Sequence, residues 1–170
     1  MLLAMNHLGG ADPVLIMACA PRLVAAIGKA EVLGWPVLGA LARAYGMVPV
    51  RRGQVDRAAL EAGLEVLRSG GALLIFPEGR ESLSGALERA KTGAAFLARH
   101  VGAPVVPVAI TGTRWPQVLS AWRRLRRPAV TLAFGCPFHL PPEMSRREAT
   151  DLIMRRIAEM LPDEYRGVYR

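Results

Sequence analysis

A histidine at position 7 and an aspartate at position 12, with Leu8, Gly9, Gly10 and Ala11 between them, are the first two ionisable side chains of the sequence. An imidazole at the end of a strand can take a proton from a hydroxyl group. A carboxylate on the returning chain can hold the other ring nitrogen and stabilise the imidazolium that forms. Two glycines permit the tight return that such a pair needs. The same residues have a plainer use. Pro13 pushes Asp12 toward extended backbone and suits the first turn of a helix, so Asp12 also reads as the N-cap of VLIMACA, with His7 an ordinary strand-end residue. With three histidines and four aspartates in 170 residues, a pair at this spacing arises by chance roughly 7% of the time. Alone, it decides nothing.

Three further stretches carry chemistry-bearing residues. Gly46 through Arg52 ends an apolar strand in Arg51-Arg52, a phosphate clamp through forked charge-assisted hydrogen bonds or, equally, two solvated arginines at a sheet edge. In residues 73–82 an apolar run enters Phe76-Pro77-Glu78-Gly79 and then Arg80, Glu81 and Ser82. That carboxylate, followed by glycine, guanidinium and hydroxyl groups, suits a site for a polar acceptor, or it is a turn. Residues 103–113 read as a core strand in which Pro107 marks an edge or a bulge.

The elements that must position these groups alternate in type. Residues 2–5, 23–27, 47–50, 72–76, 105–110 and 130–134 read as strands, mostly apolar on both faces and therefore buried. Asp56 caps a helix carrying Leu60, Leu64 and Leu67 and stopping at Gly70-Gly71; residues 91–101 form another. A last helix begins at Ser145, carries Leu152, Ile153, Ile157 and Leu161 on one face, and ends at Pro162. The expectation is a single α/β domain over residues 1–170, a mixed central sheet with flanking helices. At 52% apolar residues and a mean hydropathy of +0.24, the chain has ample material for one core. No uncharged apolar run reaches the ~18 residues of a membrane span, and no secretory signal is recognisable. Cys19 and Cys136 are expected to be buried free thiols. No Cys/His spacing suggests a metal site, so none is expected.

The net charge is +8, from 20 arginines with only Lys29 and Lys91 beside them. Such a surface attracts anionic partners. Ten aromatic residues, not interleaved with the arginines, make no platform for stacking bases, so no nucleic acid is expected.

Taken in order, the four stretches resemble the glycerolipid (lysophospholipid) acyltransferase family. Asn6-His7 through Asp12 is similar to its Asn-His-x4-Asp block, Gly46 to Arg52 to its second block, Phe76-Pro77-Glu78-Gly79 to its third, and Val106-Pro107-Val108 to its fourth. Residues 91–112 and Lys29-Ala30-Glu31 are also family-like, and the resemblance covers roughly residues 5–138, outside the helix of about 145–161. It implies a glycerol-3-phosphate acyltransferase-like fold. In its terms His7 is the general base on an acceptor hydroxyl, which attacks an acyl thioester directly, and Asp12 orients it. Arg52 binds the acceptor phosphate. Phe76, Pro77, Glu78, Gly79, Arg80 and Ser82 form the acceptor site, and Pro107 belongs to the acyl-donor pocket. The implied partners are a lipid acceptor such as lysophosphatidate and a thioester donor, acyl-CoA or acyl-carrier protein, as co-substrate with no cofactor. The absence of a Gly-x-Ser-x-Gly elbow agrees, since the nucleophile then belongs to the substrate.

Two departures stand out. The third block reads FPEGRES where the family has FPEGTRS, so Arg80 sits at the threonine and Glu81 at the usual arginine. Either Arg80 supplies the guanidinium, or the acceptor carries its charge differently, as a lyso-aminolipid or another lipid hydroxyl would. Only five residues precede Asn6, so the family's N-terminal membrane segment is expected to be absent. The expected location is then cytoplasmic, peripheral on the inner face of the cell membrane. Trp115, Trp122, Arg123, Arg124, Arg126 and Arg127 form a candidate interfacial segment, or a solvated face. The helix around Trp35, Leu38 and Leu41 offers a second apolar face. A non-catalytic basic binding protein is the alternative class, and the four ordered blocks argue against it.

Overall fold

Four apolar residues in a row, Leu2–Met5 (β1), form the strand around which the rest is arranged. In the computed structural model, which describes residues 1–50 and 56–170, all four side chains are at most 4% exposed. Leu2 and Ala4 join one core cluster, Leu3 and Met5 the other, so both faces of the strand are covered. The chain continues through α1 (Asp12–Cys19), β2 (Val24–Lys29), a 3-10 turn (Ala30–Gly34), α2 (Pro36–Ala44) and β3 (Val48–Val50). There follow α3 (Arg57–Arg68), β4 (Ala72–Ile75), α4 (Gly93–His100), β5 (Val105–Thr111), α5 (Trp115–Arg123), β6 (Thr131–Phe134) and α6 (Arg146–Ala158). The strand order is β3-β2-β4-β1-β5-β6, with β6 antiparallel to β5 and the other pairs parallel. This is the expected mixed sheet with flanking helices.

Helices α3, α4 and α6 cover one face, where Leu64, Leu97, Ile153, Met154 and Ile157 pack on Leu2, Leu73 and Val105. Helix α1 covers the other through Ile16, against Leu3, Met5, Leu74 and Val108. Local signals explain the ends. Asp56 caps α3 by accepting from Ala59 N at 3.1 Å, and Ser145 and Glu148 close a capping box at the start of α6. Helix α6 ends at Ala158, short of the expected boundary, although Leu161 still packs into the core. Helix α5, which the sequence offered only as an interfacial segment, buries none of its residues.

Pro107 sits where a bulge separates two stretches of pairing. Val108 pairs with Phe134 but Val105 with Phe138, so the facing strand carries one extra residue there, and Gly135 N donates to Pro107 O at 2.8 Å. Both cysteines are free, yet both are exposed, contrary to expectation. Cys19 ends α1 on its outer side and Cys136 lies in the loop after β6, so apolar sequence neighbours did not translate into burial.

Candidate active site

Beyond Met5 the central strand runs out of partners and turns, and the turn is held from three sides. Asn6 fastens it to β5: its Nδ2 donates to Ile110 O at 2.9 Å and its Oδ1 accepts from Ile110 N at 2.8 Å. Asp12 fastens it from the return. Its Oδ2 accepts from Leu8 N at 2.7 Å and Gly9 N at 2.9 Å, and lies 2.9 Å from His7 Nδ1. A carboxylate already accepting two amide protons is an acceptor only, so Nδ1 carries a proton and donates, which in the neutral ring places the lone pair on Nε2. The aspartate is fully buried and the histidine 5% exposed. Asp12 is the first residue of α1 and not its cap; Ala11 occupies the cap position and makes no side-chain cap bond. The plainer use of Asp12 as a helix cap is therefore not what the structure shows, because its carboxylate is turned back onto the loop.

Glu78 fastens the turn from the third side. Its Oε2 accepts from His7 N at 3.1 Å and its Oε1 from Glu88 N at 2.7 Å, joining the end of β1 to both ends of the long loop after β4. Burial raises its carboxyl to about 7 against the opposing pull of these two backbone donors. Ser82 N donates to His7 O at 2.8 Å, and its Oγ donates to Ala86 O at 2.6 Å. Phe76 stacks on the His7 ring, centroid to centroid 4.1 Å.

The structure thus brings His7, Asp12, Phe76, Glu78 and Ser82 together but divides the expected acceptor site. A cavity of about 200 Å³ opens beside His7, lined by Phe76, Met17, Met47, Trp35 and Leu38, with Lys29 and Glu81 also on its wall. Glu78, Gly79 and Arg80 border a separate polar cleft with Glu88, Arg89 and Lys91. There Arg80 Nη2 meets Glu88 Oε2 at 2.9 Å. Pro77 is buried. Pro107, expected in the acyl pocket, is in register with Ala4 and so faces the α6 side of the sheet, beside Gly135 and Met160, and not the cavity. Arg52 and Arg51 lie outside the described residues. Among the described residues no His, Cys, Asp and Glu cluster could hold a metal ion. Sequence reading missed the cavity walls supplied by Met17, Tyr45 and Met47, whose only signal was their largely apolar side chains.

Gly9 has a steric reason to be glycine. A Cβ there would fall 2.4 Å from the carbonyl oxygen of Thr113. Gly9→Ala is expected to cost about 1–3 kcal/mol through this overlap and to lower the thermal midpoint by about 5 °C, read by circular dichroism. An unchanged midpoint would mean that the loop shifts freely.

An oriented histidine on the wall of an apolar cavity is the equipment of a transferase or hydrolase that acts on a hydroxyl group. The chain belongs to the acyltransferase family, whose model matches residues 1–111. It is 31% identical over 144 residues to a 1-acyl-sn-glycerol-3-phosphate acyltransferase of Cocos nucifera, covering 78% of this chain and 44% of that protein. It is 37% identical over 115 residues to the lyso-ornithine lipid O-acyltransferase of Pseudomonas aeruginosa, covering 67% and 44%. The chain thus spans less than half the length of either curated relative. The crystal structure of the 1-acyl-sn-glycerophosphate acyltransferase of Thermotoga maritima superimposes with a TM-score of 0.70 at 25% identity, covering 94% of this chain and 66% of that one. Among the described residues no helix is long and apolar enough to cross a membrane.

Proposed function

We propose that the protein moves a fatty acyl group from a thioester, acyl-CoA or acyl-carrier protein, to the hydroxyl of a lysoglycerolipid-type acceptor. The observation that carries this reading is the His7–Asp12 pair on the wall of an apolar cavity. His7 Nε2 takes the hydroxyl proton as the acceptor oxygen attacks the thioester carbonyl carbon. The tetrahedral intermediate then expels the thiolate, which takes the proton from Nε2. Asp12 stabilises the imidazolium between these steps. No cofactor is needed, because the thioester supplies the activated carbonyl. Arg52 is the residue that the resemblance assigns to an acidic group of the acceptor, and Lys29 on the cavity wall is a second cation for such a group. The test incubates the purified protein with radiolabelled acyl-CoA or acyl-carrier protein and lysolipids of several head groups. Label in a diacyl product is expected; no product from either donor with any acceptor would overturn the reading.

Access to lipid is assigned to a peripheral mode on the inner face of the cell membrane. Trp115 and Trp122, 62% and 53% exposed, meet edge to face at 5.8 Å on α5. Leu125 follows at 97% exposure in the left-handed conformation (φ 52°), beside Arg123, Arg124, Arg126 and Arg127. Tryptophans and an outward leucine flanked by arginines suit the boundary of an anionic bilayer. Sedimentation with vesicles containing anionic lipid is expected to capture the wild type. The double variant Trp115→Ala, Trp122→Ala should bind at least about tenfold more weakly. Equal capture of the two proteins would remove this segment from the interface.

A further inference from the structure

The carboxylate of Glu81 occupies the position at which the family's third block carries an arginine. It lines the cavity wall beside His7, against the catalytic turn: a Cβ on Gly10 would lie 3.8 Å from Glu81 Oε1. In a chain of net charge +8 with 20 arginines, this carboxylate is exposed and makes no ion pair among the described residues. Glu88, Asp151, Glu159 and Asp163, by contrast, each pair with an arginine. Arg80, its sequence neighbour, is paired with Glu88 instead. Lys29 lines the same cavity and is likewise exposed and without an ion pair among the described residues. The cavity that holds the histidine therefore presents one free anion and one free cation among the described residues.

A lysophosphatidate head group bears negative charge only, and a fixed carboxylate next to it is repulsive. A head group with an ammonium and an acidic group satisfies both side chains at once. We infer that the acceptor is a zwitterionic lysolipid whose ammonium is bound by Glu81 and whose acidic group is bound by Lys29. This rests on the acyl-transfer reading for what happens to the hydroxyl, but not for what binds. Glu81 is then a specificity residue that rejects purely anionic acceptors by like-charge contact and accepts those that carry a cation.

The test compares a 3-hydroxyacyl-ornithine and lysophosphatidylethanolamine, both zwitterions, with lysophosphatidate. The wild type is set beside Glu81→Gln and Glu81→Arg. At least one zwitterion is expected to be acylated with a kcat/KM about tenfold or more above lysophosphatidate. The ratio should fall toward one in Glu81→Gln and reverse in Glu81→Arg. Equal or faster use of lysophosphatidate by the wild type, or an undiminished ratio in Glu81→Gln, would overturn the inference. The same three lipids are also titrated without donor against Trp35 fluorescence in a Trp115→Phe, Trp122→Phe background, since Trp35 lines the cavity. Should no acceptor be acylated, the acyl-transfer reading falls and binding alone judges Glu81. Zwitterion binding that weakens in Glu81→Gln sustains its role, and binding indifferent to that change ends it.

Discussion

Turnover by the His7→Ala variant is expected to fall by about 10²–10⁴-fold, the worth of a positioned general base, while the acceptor still binds. Alanine removes the imidazole from the cavity wall, yet it leaves the main-chain contacts of the turn in place, since Glu78 and Ser82 engage the backbone of residue 7 and not its ring. The fold should therefore survive, as judged by circular dichroism. Asp12→Asn provides the companion measurement. The asparagine oxygen can take the place of Oδ2 and accept from Leu8 N, Gly9 N and His7 Nδ1, while its amide group falls where the buried Oδ1 has no hydrogen-bond partner. Geometry is preserved, but the negative charge that stabilises the imidazolium is lost. A drop in kcat with little change in KM is expected for Asp12→Asn. His7→Ala activity within tenfold of wild type would exclude proton transfer through this residue.

Glu78 should govern stability more than chemistry. Its carboxyl titrates near 7 in the folded protein and near the ordinary 4.5 in the unfolded chain, because burial disfavours its charged form. Between these values the folded state holds the extra proton, so stability falls as pH rises from about 4.5 to about 7, by roughly 3 kcal/mol for this group alone. Glu78→Gln cannot ionise, so its urea midpoint should be flatter across that window. It retains one acceptor for the two amides of His7 and Glu88, and the second amide then faces an NH₂ group. The cost of that unpaired donor is about 1–3 kcal/mol. Glu78→Ala loses both acceptors and should be the less stable of the two, by a further kcal/mol or so. An unaltered pH slope in Glu78→Gln would mean that Glu78 is ionised at low pH in the folded state too.

Much of this arrangement was legible in the residues themselves. Six apolar runs became six strands, because strands buried on both faces must be continuously apolar and few other segments of this chain are. The His7–Asp12 contact was legible as one of two uses of the same residues, and local spacing could not choose between them. What chose was Asn6 bonding to Ile110 and Glu78 reaching the amide of His7, contacts between positions far apart in the chain. The division of the expected acceptor site between two openings was not legible either. Glu78 and Glu81 are near neighbours in sequence, but Gly79 turns the chain between them at φ 74°, sending one carboxylate inward to the backbone and leaving the other on the cavity wall. Pro107 stands on the far face for a comparable reason, since alternation along a strand places adjacent residues on opposite sides.

The strand order also sets a timetable. The strand leading to His7 is synthesised before both strands with which it pairs among the described residues, β4 and β5, whose residues follow it by about 70 and about 100 positions. Until those segments have been made, Leu2–Met5 is an apolar strand with both edges unpaired, the kind of segment that aggregates or recruits chaperones. The proton acceptor accordingly has no site to occupy until most of the domain exists, so activity should appear on the ribosome late and all at once, with the insertion of β1 between its neighbours.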